Sequence, residues 1–247
     1  MNINKVTKND APIGIIGAMQ VEVEAICDAM ENKTEEEISG IRYVSGELYG
    51  QRVVAAKCGI GKVFAAICAQ TMIMKYSPRV IINTGVAGTL TKRLSIGDIA
   101  IADRVVQHDM DTSPTGDPVG LLSGINKIYL PADKDTGEVI SSCISELGLN
   151  FCRGTVASGD VFISKTEQKE RIHSLFDDAE GECVACEMEV AAIGHVCYVN
   201  DTPFCVLRAI SDGGDESATL DYPTFLARAA AAATKVLMGY VRRTAEV

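Results

Sequence analysis

The strongest constraint on the fold is a set of short, nearly uninterrupted apolar runs: "PIGIIGA" (12–18), "RVIINTGVAG" (79–88), "FCRGTVAS" (151–158), "ECVACE" (182–187) and "PFCVLRAIS" (203–211). Runs of this kind, lacking the in–out alternation of a half-exposed strand, read as strands covered on both faces. "IGDIAIADRVVQH" reads as a further strand, and "IRYVSGELYGQRVVAAKC" as a hairpin turning near Gly50 and Gln51. Helical spacing fills the intervals: through Val21, Ile26 and Met30, over "GKVFAAICAQTMIMKY", near 133–147 and 165–176, over 189–200, and from about 222 to 244. Strands alternating with helices indicate an α/β sandwich around a largely buried sheet. The interval 109–131 breaks the pattern with Pro114, Gly116, Pro118, Gly120 and Gly124, and a loop this long is usually functional or ordered by a partner.

No Pro/Gly/Ser-rich linker divides the 247 residues, so one domain over 1–247 is expected. No run of about 18 apolar residues is present, which argues against a membrane span. The opening "MNINKVTKND" lacks the basic-then-apolar pattern of a signal peptide, so a cytoplasmic location is expected. The formal net charge of −10 and the lack of a basic cluster argue against nucleic-acid binding. Nine cysteines, mostly inside apolar runs, read as reduced core residues. Cys183 and Cys186 form a lone C-x-x-C without a second pair or a histidine at ligand spacing, so no metal site is expected.

Two glycine-bearing turns resemble phosphate loops and fail on detail. "GIIGAM" lacks G-x-G-x-x-G, and in "CGIGKV" a valine follows Lys62 where a phosphate loop needs Ser or Thr. Gly59 and Gly61 read instead as a tight strand-to-helix turn. His108, His173 and His195 are scattered and suggest no hydrolase triad.

In open α/β sheets, ligands sit beyond the carboxyl ends of strands. Glu22, Glu189 and Asp212 each fall at or just past such an end. Each alone fits a first-turn or capping acid; together they suggest an acid-lined cleft for proton transfer. Glu187 and Glu189 lie two apart at a strand-to-helix junction. Residues two apart share a face on a strand and diverge on a helix, so spacing alone does not choose which faces the cleft.

"IGIIGAMQVEVE", "INTGVAG", "SGDVFI", "CEMEVAAIGHVC" and "FCVLRAISD", in this order, resemble the 5′-methylthioadenosine/S-adenosylhomocysteine nucleosidases of the nucleoside phosphorylase superfamily. The resemblance covers nearly the whole chain. It implies a three-layer α/β/α sandwich with a mixed, twisted central sheet, a homodimer, no cofactor and no metal, and a place in methionine salvage. The implied reaction is hydrolysis of the N-glycosidic bond, giving adenine and a 5-thio-substituted ribose.

Carried over by residue, Asp212 would protonate N7 of adenine, with Ser211 beside it. Glu189 would bind the ribose hydroxyls, chiefly the 2′-OH, with Glu187 supporting. Glu22 would activate water, and Arg208 would hold that water and the acids around it. Met188 would lie under the ribose, and Met19 near the sugar. Phe162 would stack on the base, with Val161 and Ile163 at its edge through their backbone. Tyr222 would line the pocket for the 5′-substituent. Val86 stands where many relatives carry Ser or Thr, removing a hydroxyl near the sugar and water. The 109–131 loop also departs from the best-known bacterial relatives, with Thr112 and Thr115 at places held elsewhere by more apolar residues; in the family this region packs across the dimer interface.

Futalosine-type hydrolases share much of this motif set and form one alternative reading. A purine nucleoside phosphorylase is another, but phosphate as nucleophile calls for cations where this chain has Glu22 and Asn83. A non-catalytic nucleoside-binding protein is a third, and would not need a water-activating base.

Overall fold

The computed structural model describes residues 11–245; the opening decapeptide read for a signal sequence lies outside them. In chain order the elements are β1 Ile13–Gly17, α1 Gln20–Ala29, β2 Glu31–Ile38, β3 Ile41–Leu48, β4 Gln51–Lys57, α2 Lys62–Tyr76, β5 Val80–Thr89 and β6 Ile99–Gln107. They continue with β7 Tyr129–Pro131, α3 Lys134–Glu146, β8 Phe151–Ser158, α4 Thr166–Phe176, β9 Cys183–Glu187, α5 Val190–Val199, β10 Phe204–Asp212 and α6 Ala218–Ala245. Among the described residues no helix is long and apolar enough to cross a membrane.

The ten strands among the described residues join one mixed sheet. β1, β4, β5 and β10 run parallel, and β6, β8 and β9 run the other way. β10 pairs with both β5 and β6, so the path β5–β10–β6–β8–β9 returns to β5 and closes on itself. β1, β4, β3 and β2 extend from this closed part as an open wing. β5 and β9 overlap only at their carboxyl ends, where Gly88 faces Cys186 and Thr89 faces Ala185. That overlap brings the ends of oppositely directed strands to one place. The apolar runs predict neither the closure nor the overlap.

The sheet is covered on both faces, as its apolar runs require. Ala65, Cys68, Ala69 and Met72 of α2 and Val190, Ile193 and Cys197 of α5 pack in one core. Ile26 of α1, Ile140 and Ile144 of α3, and Ala230, Ala233 and Leu237 of α6 pack in a second. A smaller cluster places Ile172 and Phe176 of α4 against Val106, Ala157 and Cys186.

Three elements depart from the sequence reading. β2, "ENKTEEEI", is polar and mostly exposed and was not expected as a strand. It pairs with β3 at the sheet edge, where Arg42 Nε donates to Glu35 Oε2 at 2.8 Å; a row of acids there discourages pairing with another chain. α6 begins at Ala218 rather than near 222 and carries Pro223 inside it. Its start is fixed by Ser217, whose Oγ donates to Asp221 Oδ2 at 2.6 Å and whose N–H donates to Asp215 Oδ1 at 3.0 Å. The 109–131 interval is largely irregular, as expected, but holds a 3-10 turn at Ser113–Thr115 and ends in β7.

Candidate active site

The carboxyl ends of β5, β9 and β10 and the start of α1 surround a cleft of about 220 Å³. Glu22, Glu189, Arg208 and Asp212 line it, and so do Met19, Val86, Val161, Phe162, Ile163, Glu187, Met188, Ser211 and Tyr222. Every residue to which the resemblance assigns a catalytic or substrate-binding role thus reaches one cavity. Ala18, Ile60, Ala87, Gly88 and Cys186 line it as well and had been given no role at the site. Each had a signal: Ala18, Ala87, Gly88 and Cys186 fall inside the motifs that carry the resemblance, and Ile60 lies inside the "CGIGKV" turn, read there as purely structural.

Glu22 occupies the third position of α1 and folds back over the end of β1. Its Oε2 accepts the N–H groups of Ala18 (2.7 Å) and Met19 (2.9 Å), and its Oε1 accepts that of Val86 (3.1 Å). Reaching back to the N–H of the capping residue is half of a capping box, so the first-turn and cleft-facing readings hold together. Burial raises its pKa above the usual glutamate range, against the opposing pull of Arg208 and the backbone donors. Gly85 makes this placement possible: a Cβ there would lie 2.4 Å from Glu22 Oε1 and 2.6 Å from Arg208 Nη1.

Glu187 and Glu189 have separate jobs. Glu187 ends β9 and caps α5, accepting the N–H groups of Glu189 (2.9 Å) and Val190 (2.9 Å) on Oε2. Arg208 Nη2 donates to the same oxygen at 2.6 Å, and Ser158 Oγ donates to Oε1. Its lone pairs are committed to the protein. Glu189 is less tied: Oε1 accepts Gly61 N–H at 3.0 Å, and Oε2 lies 3.5 Å from Arg208 Nη2. Burial and then the neighbouring Glu187 charge raise its pKa, against Arg208 and the Gly61 N–H.

Arg208 is 1 % exposed and sits among Glu22, Glu187 and Glu189. Burial pulls its pKa down, and the three carboxylates outweigh that and hold the guanidinium charged. Nη1 donates to Val86 O at 3.1 Å, while Nε has no hydrogen-bond partner among the described residues.

Asp212 ends β10. Its Oδ1 accepts Gly214 N–H at 3.0 Å and its Oδ2 accepts Ser211 Oγ at 2.9 Å. Burial raises its pKa, and these donors oppose the rise only in part. A carboxyl shifted this way can hold a proton and donate it. A Cβ on Gly88 would lie 2.7 Å from Asp212 Oδ1, so glycine is needed at this close approach. Phe162 and Tyr222 meet edge to face with centroids 5.6 Å apart, and Tyr222 O–H points at Met19 Sδ, 3.1 Å away.

The Glu22–Arg208 end of the cleft abuts Gly85 and Val86, and the Asp212 end abuts Gly88. Two to three residues of extended chain separate these points, about 7–10 Å. A buried carboxylate at one end, a protonatable carboxyl at the other and an apolar slot between them suit attack by water on a bond whose leaving group is protonated.

The family model of the phosphorylase superfamily matches residues 12–242. The fold superposes on a 5′-methylthioadenosine/S-adenosylhomocysteine nucleosidase from Neisseria meningitidis bound to methylthio-immucillin-A, with a TM-score of 0.89 and 33% identity over 94% of this chain and 99% of that one. It also superposes on the futalosine hydrolase of Helicobacter pylori, at 0.88 and 31% identity over 95% and 98% of the two chains. A methylthioadenosine/adenosylhomocysteine nucleosidase of Colwellia psychrerythraea in complex with adenine matches at 0.88 and 29%, over 94% and 95%. The chain therefore belongs to the phosphorylase superfamily, and within it is an N-glycosyl hydrolase.

Proposed function

We propose that the cleft hydrolyses 5′-methylthioadenosine and S-adenosylhomocysteine, releasing adenine and the 5-thio-substituted ribose. The observation that carries this reading is the pairing of Glu22, fixed by three backbone donors, with Asp212, whose pKa is raised, at opposite ends of one cleft. Asp212 gives its proton to N7 as the C1′–N9 bond breaks. Glu22 takes a proton from water as the oxygen joins C1′. A carboxylate beside the attacking atom suits water and repels phosphate, which disfavours phosphorolysis.

Glu189 binds the ribose hydroxyls, chiefly the 2′-OH, and its charge with that of Glu22 stabilises the oxocarbenium-like transition state. Arg208 holds the water and the acids, and Glu187 anchors Arg208. Met188 lies under the ribose and Met19 beside it. Phe162 stacks on adenine, the backbone of Val161 and Ile163 meets its edge, and Ser211 steadies Asp212. Tyr222 and the dry side chain of Val86 border the 5′-thio group and the water.

The protein acts as a homodimer in the cytoplasm. Ile60, Val63, Phe64 and Ile67 form an exposed apolar face beside the cleft mouth, the kind of patch that marks an interface. All nine cysteines are free, in keeping with a reducing compartment. A second reading, hydrolysis of futalosine-type nucleosides, draws on the likeness to the Helicobacter enzyme.

A substrate panel in phosphate-free buffer tests these readings. Adenine and free methylthioribose from methylthioadenosine are expected. Strict dependence on phosphate, with a sugar 1-phosphate as product, overturns hydrolysis. Turnover of aminodeoxyfutalosine alone moves the assignment to the second reading.

A further inference from the structure

The turn "CGIGKV" offers its amides to carboxylates, not phosphate. Gly59 and Gly61 have φ of +95° and +98°, which side chains disfavour, and the turn delivers two consecutive N–H groups at the start of α2. Gly61 N–H donates to Glu189 Oε1 at 3.0 Å, and Lys62 N–H to Asp160 Oδ1 at 2.8 Å. The Lys62 side chain then reaches the end of β6, where Nζ donates to Asp109 Oδ1 at 2.6 Å and lies 3.4 Å from Gln107 Oε1. Asp109 Oδ2 accepts Asp160 N–H at 2.8 Å, which closes a ring of Lys62, Asp109 and Asp160. The Lys62 side chain is 17% exposed and that of Asp109 24%, so the pair is partly shielded from water.

The ring touches both walls of the cleft. On one side it fixes the backbone whose amide holds Glu189. On the other, Asp160 immediately precedes Val161, Phe162 and Ile163, which line the cavity. Lys62 itself does not line it. We infer that Lys62, through its ion pair with Asp109, is a positioning residue that sets Glu189 against the sugar. This rests on the proposed role of Glu189 at the 2′-OH. Small displacements of a positioned group cost rate steeply, and a charged anchor on a short turn limits them.

The test compares methylthioadenosine with its 2′-deoxy counterpart in the wild type, Lys62→Met, Lys62→Arg, Asp109→Asn and Glu189→Gln. Lys62→Met is expected to lower kcat/KM on the ribonucleoside about tenfold or more, with a much smaller loss on the 2′-deoxy substrate. Lys62→Arg should recover part of the loss, and Asp109→Asn should repeat it. Adding Asp109→Asn to Lys62→Met should cost little more, as for two ends of one link. Equal losses on both substrates, or wild-type kinetics, overturn the proposal. Should Glu189→Gln leave the preference for the 2′-OH intact, the Glu189 assignment itself falls. Hydrogen exchange at the Gly61 amide reads the link without substrate: faster exchange in Lys62→Met supports it, and unchanged exchange overturns it.

Discussion

Arg208 Nη2 lies 2.6 Å from Glu187 Oε2 and 3.5 Å from Glu189 Oε2. One guanidinium nitrogen thus bonds fully to the acid that ends β9 and only approaches the acid that immediately precedes α5. Glu187 is consumed in building the site, and Glu189 keeps an oxygen for a ligand. The two acids flanking Met188 therefore have opposite effects when neutralised.

Glu187→Gln removes the closest countercharge of a buried arginine. Breaking such a pair costs about 3–5 kcal/mol, with the lower end expected here because Glu189 and Glu22 remain nearby. The thermal midpoint should fall by several degrees, and activity with it. Glu189→Gln removes a raised-pKa carboxyl next to a like charge and keeps an oxygen for the Gly61 amide. It should leave the midpoint at pH 8 unchanged or higher while kcat/KM falls. Calorimetry on both variants checks the contrast, and equal destabilisation would contradict the division of labour.

The raised pKa values also set a pH dependence of stability. Glu22, Glu189 and Asp212 all bind protons more tightly folded than unfolded. Their contribution is full below the unfolded values, near 4.5 for glutamate and 3.8 for aspartate, and is lost as pH rises through the folded values. Asp109 has the opposite sign: burial works against its ionisation, but Lys62 and the Asp160 N–H outweigh it and hold its pKa low. Its contribution is lost as pH falls below the ordinary aspartate range. The free enzyme should therefore lose stability as pH rises from 5 toward about 8, the value to which the Glu189 carboxyl is pushed, with a shallower slope in Glu189→Gln. Midpoints measured across that range decide it; identical slopes in the two proteins would refute the assignment.

Gly85→Ala places a methyl group on the Glu22 carboxylate and the Arg208 guanidinium at once. Overpacking of this kind typically costs about 1–3 kcal/mol. Displacing both groups by about 1 Å, the shift that relieves this contact, should cost about 10²-fold in kcat. A folded variant with normal turnover would show that Glu22 need not sit where the structure holds it.

Much of the scaffold is legible in the sequence because buried strands cannot hide their composition. "FCRGTVAS" is β8 to the residue, and the acids at strand ends follow from the general placement of α/β sites. β2 is not legible, because an edge strand can satisfy half its backbone with water and needs no apolar face. Sheet closure depends on pairings between β10 and two distant strands, which no local pattern encodes. The division between Glu187 and Glu189 is invisible for a related reason: it is decided by Ser158, Gly61 and Arg208, which meet the two acids only in the fold.

Glu22 carries the most specific prediction about chemistry. Three backbone N–H groups point at its carboxylate, from Ala18, Met19 and Val86, so its position belongs to the main chain and survives a change of side-chain charge. Glu22→Gln keeps the length and one acceptor oxygen but cannot take a proton from water. Its amide would also set a donor against those N–H groups or against Arg208, so some loss of stability is expected. Substrate contacts at the Asp212 end of the cleft remain, and affinity should change little. The loss should appear in kcat, about 10²-fold or more for removal of a general base. Kinetics on methylthioadenosine, with binding of an unreactive analogue measured in parallel, separate the two effects. A variant that binds and turns over normally would remove Glu22 from the proton transfer.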